Sequence, residues 1–144
     1  MTFRPHPNAG RRRNSAVTLI KMLLAAKAPG VLPEHTRELI DTLLWKITEA
    51  DGKYNTRYKT GGALECDDKS QLWHEHVYQK SKMIEALLNA RSEAVDAILS
   101  DATGCTVTVD EHMCLSKFDG EYGWERYRRA GLEVFDTVTR ERKV

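Results

Sequence analysis

Pro29-Gly30 separates two stretches of helical apolar periodicity, and little else in the chain limits its architecture so tightly. Upstream, Val17, Ile20, Leu23 and Leu24 recur at helical spacing and Ser15 suits the N-cap, which predicts a helix over about 15–28. Downstream, Pro33 fits a first helical turn and Glu34 suits the positive end of the helix dipole. Leu39, Ile40, Leu43, Leu44 and Ile47 then form an apolar stripe that Asp51-Gly52 closes. Only about five residues join the two patterns, so an antiparallel helical hairpin is expected, with its stripes serving as core.

From Gly52 to Ser70 no periodicity survives. Lys53, Arg57 and Lys59 alternate with Tyr54 and Tyr58 before Gly61-Gly62. Interleaved cations and rings suit a nucleic-acid backbone and its bases, and equally suit a polar loop whose tyrosines pack back on the body. Leu72 to Tyr78 reads as a short strand, followed by helices near 81–89 and 92–99. Gly104 opens a β-branched strand over Cys105–Val109. Thr108 stands three residues before Glu111, the spacing of a capping box, so a helix carrying His112 should begin there. After Asp119-Gly120 a helix is expected over Trp124–Ala130 with Gly131 at its C-cap, then a strand over Leu132–Thr139. The sum is a mostly helical α+β fold: an N-terminal helical hairpin packed on a small ββα-like unit, with a C-terminal helix and strand.

At 144 residues the chain fits one domain. Residues 1–14 carry Arg4, Arg11, Arg12 and Arg13 without an acid and read as a flexible basic arm, able to neutralise phosphates or simply to aid solubility; 15–144 form the globular part. The longest apolar run, Ala16 to Ala28, is interrupted by Thr18, Lys21 and Lys27 and falls short of the ~20 residues of a membrane span. It also lacks the small-residue cleavage site of a secretory signal, so no membrane partner is expected. Cys66, Cys105 and Cys114 are odd in number and include no CxxC pair, which points to a reducing cytoplasm and to small buried hydrophobes. A net charge of +1 does not by itself indicate nucleic acid. No serine or cysteine hydrolase motif, Walker loop or dinucleotide-binding loop is present, which sets aside ATP-driven and redox-cofactor chemistry.

The residues that could carry chemistry surround position 75, in His74-Glu75-His76-Val77. On a strand Glu75 and His76 point to opposite faces, with His74 on the side of His76. If the backbone turns or ends there, the carboxylate can hold a cation while the adjacent imidazole stands by as a base, and His112 can arrive from the later helix. This order of parts resembles the HNH, or His-Me finger, nucleases over residues 70–117. The resemblance implies a metal-dependent DNA endonuclease with Glu75 and His112, joined by His74, on a divalent ion such as magnesium, manganese or zinc, and His76 as general base. Arg57, Lys59, Lys80, Arg126, Arg128 and Arg129 are the candidate contacts to the DNA backbone. Trp124 and Tyr127 share one side of their helix and are expected in the core. The alternative is a non-catalytic binding protein, either an antagonist of a protein partner or a DNA-binding accessory factor.

Overall fold

The computed structural model describes residues 2–26 and 28–144. Among them are α1 (Ala9–Ala25), α2 (Pro33–Thr48), β1 (Tyr58–Thr60), α3 (Gly61–Glu65), β2 (Leu72–His76), α4 (Lys80–Asn89) and α5 (Val95–Ser100). Next come β3 (Gly104–Thr108), α6 (Val109–Leu115), α7 (Trp124–Arg129), β4 (Val134–Asp136) and β5 (Glu141–Arg142). The fold is the expected mostly helical α+β class. No helix among the described residues is long and apolar enough to cross a membrane.

The hairpin forms, but α1 starts at Ala9 rather than at Ser15, and Lys27, inside the expected helix, lies outside the described residues. The arginine run is therefore helical and partly tied down, not a loose arm. Arg12 donates to the Ala50 carbonyl at 2.9 Å and Arg13 pairs with Asp51 at 2.5 Å. Both acceptors lie just beyond the C-terminal end of α2, where unpaired carbonyls and the negative end of the dipole favour cations. Asp51 also accepts from the His6 amide at 2.8 Å, and Asn55 donates to the Arg4 carbonyl at 2.6 Å, so the segment before α1 is fastened as well.

The sheet runs β2-β3-β1-β4-β5. β1 is parallel to β3, and every other pairing is antiparallel. β2 and β3 followed by α6 make the ββα unit, with α4 and α5 inserted between the strands. The central strand β1 lies in the stretch where the sequence showed no pattern. It is three residues long and carries Lys59 in its middle, so no apolar alternation announces it. The expected 132–139 strand shrinks to Val134–Asp136 because Asp136 turns the chain by accepting from the amides of Val138 and Thr139.

Two apolar clusters result. One holds Ile20, Ile40, Leu44, Met83 and Leu87 between the helices; the other holds Val77, Cys105, Val107, Leu115, Tyr127 and Val134 beneath α6 and α7. Tyr78 packs against both. Tyr127 is fully buried and Trp124 packs at the edge of the second cluster, as expected. The opposite face of the sheet is polar: His74, His76, Thr106 and Lys59 are all buried under the end of α2 and the loop that follows.

Candidate active site at the sheet margin

β2 is an edge strand, and its alternation divides the candidate residues. Trp73 and Glu75 face α6 and α7, whereas His74 and His76 face α2. Glu75, 9% exposed, accepts from Arg126 Nη2 at 2.5 Å on Oε1 and from His112 Nδ1 at 2.5 Å on Oε2. The Thr108–Glu111 capping box is present, with both reciprocal bonds made, and it fixes the start of α6 so that His112 reaches β2. The His112 ring lies flat on Trp73, with centroids 4.4 Å apart and planes 21° from parallel. Its side chain stays 30% exposed, and Nε2 has no hydrogen-bond partner among the described residues.

Arg126 arrives from α7, whose start is set by Gly123 at φ +67°. A Cβ at Gly123 would come within 2.5 Å of the Tyr78 ring, so glycine is required both by conformation and by space. The guanidinium is 3% exposed, and its Nε lacks a hydrogen-bond partner among the described residues, as does Oε1 of nearby Gln79. A cleft of about 370 Å³ opens here, lined among others by Trp73, Glu75, Gln79, Lys80, Lys82 and His112.

His74 and His76 have different surroundings. Both rings reach the Thr48 hydroxyl, at 3.1 Å and 2.9 Å, and His74 Nδ1 sits 2.5 Å from the Lys53 carbonyl. Trp45 packs edge-on to His76 at 4.4 Å. Burial pulls the His76 imidazole down to about 3, helped by His74 and Lys80, and burial also lowers His74. A ring so reluctant to take a proton and already engaged by Thr48 is poorly placed as a general base. The structure thus brings Glu75 and His112 into contact, while His74 and His76, which line the same cleft, bond instead to Thr48.

The residues that the resemblance assigns to a divalent ion are engaged with one another or elsewhere: Glu75 with His112, and His74 with Thr48. Both Glu75 oxygens already accept hydrogen bonds, one from a guanidinium whose charge opposes a nearby cation. No group of three or more His, Cys, Asp or Glu side chains among the described residues is arranged to hold a metal.

Most of the basic residues expected at nucleic acid have structural partners. Arg57 makes a two-pronged pair with Asp136, at 2.9 Å from Nε and 2.6 Å from Nη2, which holds the carboxyl down at about 2. Lys59 donates to the Tyr54 carbonyl at 2.8 Å, and burial lowers its ammonium. Arg128 pairs with Glu125 at 2.5 Å, and Arg129 stands 3.5 Å from both Glu121 and Glu125. Lys80 does line the cleft, 3.0 Å from Asp41 and over the Trp45 ring. Trp73 as a platform for His112, and Arg126 as the partner of Glu75, were not foreseen. The partners are 39 and 51 residues apart in sequence, and no local pattern signals the meeting.

Comparison with known protein families, with curated proteins and with solved structures gives no match.

Proposed function

We propose that the chain cleaves phosphodiester bonds of nucleic acid in the cleft beside β2, with His112 as the acid–base group. The observation that carries this is the Glu75–His112 contact. A carboxylate on Nδ1 keeps the proton there and leaves Nε2 as the acceptor, the arrangement by which an imidazole is oriented to take a proton from a nucleophile. Trp73 restrains the ring from its face, and Arg126 holds the carboxylate from behind. Lys80 and Lys82 supply positive charge at the rim for a phosphate. His76, with its low proton affinity, serves the scaffold.

The test is incubation of the full chain with single- and double-stranded oligonucleotides, with and without chelator, comparing His112→Ala, Glu75→Gln and His76→Ala. His112→Ala should lower cleavage by about 100-fold or more, as loss of a general base does. Glu75→Gln should have a smaller effect, and His76→Ala should retain activity per folded molecule. Full activity in His112→Ala, or no cleavage by the parent chain, overturns the assignment.

A further inference from the structure

Resting on the assignment of the cleft to phosphodiester cleavage, we infer that its substrate is RNA, cut by attack of the ribose 2′-hydroxyl rather than by water. Hydrolysis of a DNA phosphodiester requires an external nucleophile, and enzymes commonly generate it and stabilise the phosphate charge with a cation held by carboxylates and imidazoles. Among the described residues that donor set is not assembled. Both oxygens of Glu75 are engaged, and the two remaining imidazoles of the motif turn to the other face of β2 against Thr48. Three imidazoles line the cleft, but those of His74 and His76 are held by Thr48, which leaves His112, oriented by Glu75, as the one whose Nε2 has no hydrogen-bond partner among the described residues, with ammonium groups beside it. That suffices for a substrate carrying its own nucleophile, because a neighbouring hydroxyl replaces a bimolecular step with an intramolecular one. The 2′-hydroxyl is also the group by which a protein separates RNA from DNA.

The step balances without a further reactant. Nε2 of His112 takes the O2′ proton as O2′ bonds to phosphorus, and the P–O5′ bond breaks with its electron pair going to O5′. O5′ takes a proton from water, and the hydroxide so formed takes the proton from the imidazolium, restoring both. The products are a 2′,3′-cyclic phosphate and a free 5′-hydroxyl, and no water is incorporated. Trp73, 43% exposed at the mouth, offers a surface on which a flanking base can stack.

The experiment presents the full chain, in EDTA, with a single-stranded RNA, the same sequence as DNA, the DNA with one ribonucleotide, and that ribonucleotide 2′-O-methylated. Expected are cleavage of the RNA, a single cut 3′ of the lone ribose, cyclic-phosphate ends, and intact DNA and methylated strands. His112→Ala and the more conservative His112→Asn, each checked for fold by circular dichroism, should both lose at least about 100-fold. Cleavage of DNA at a comparable rate, or cleavage abolished by EDTA, overturns the RNA inference and leaves phosphodiester cleavage standing. Failure to cut any strand, with or without added manganese, removes both.

Discussion

Glu75 and Arg126 are an almost solvent-free pair, at 9% and 3% exposure, and their value depends on both being present. Removing Arg126 leaves a buried Glu75 with only His112 beside its charge, which costs up to about 3–5 kcal/mol, whereas removing both members costs less. Arg126→Met should therefore destabilise the fold by that amount in urea unfolding, and Glu75→Gln combined with Arg126→Met should recover part of the loss. Strict additivity of the two changes would show that the pair is not coupled. The buried histidines give a second residue-scale expectation. His76 binds its proton near pH 3 when folded, against an ordinary value of 6.5, so the unfolded chain holds more protons between those limits. Stability is thus complete above about pH 6.5 and falls as pH drops toward 3, by up to about 1.4 kcal/mol per unit for each ring that stays neutral. His76→Gln should flatten the slope of unfolding free energy against pH between 6 and 4; an unchanged slope would show that His76 does not contribute to it.

At the scale of elements, the site depends on how α6 and α7 are delivered to one edge strand. Gly123→Ala tests α7, since a methyl group there meets the Tyr78 ring and the backbone is left-handed. The variant should unfold about 1–3 kcal/mol more easily, and should lose cleavage beyond that by shifting Arg126 away from Glu75. A fully active and stable variant would show that the start of α7 tolerates a side chain. The start of α6 was legible in the sequence because a capping box is a local signal: Thr108 and Glu111 satisfy each other within one turn. β1 was not legible, since its stability comes from neighbours on both sides and its residues, Tyr58-Lys59-Thr60, show no pattern of their own. The motif His74-Glu75-His76 does lie on a strand, and strand alternation already implied that Glu75 and His76 part company. What could not be read was that no turn would bring them back together, because β2 keeps its pairing with β3 through His76. The start of α1 was missed for a related reason: what fixes it is the end of α2, some 40 residues away, where Arg12 and Arg13 are received.

For the molecule as a whole, a helical layer and a small sheet each contribute an apolar cluster, and Tyr78 belongs to both. Leu44, fully buried between α1, α2 and α4, should cost about 2–5 kcal/mol as Leu44→Ala. If the layers unfold together, far-UV circular dichroism and the amide exchange of β3 should report the same loss. A loss confined to the helices would show two independent units.

The aromatic contacts give the protein a built-in optical report. Trp73 lies against His112, Trp45 against His76, and Trp124 against Tyr58 and Tyr127. A protonated imidazole quenches the emission of an indole it touches, so the fluorescence of Trp73 follows the protonation of the proposed acid–base group. Trp45 follows the buried histidines, and Trp124, with no imidazole neighbour among these ring contacts, serves as the reference. Single-tryptophan variants would therefore show cleft occupancy and acid loosening as separate signals, without any added dye.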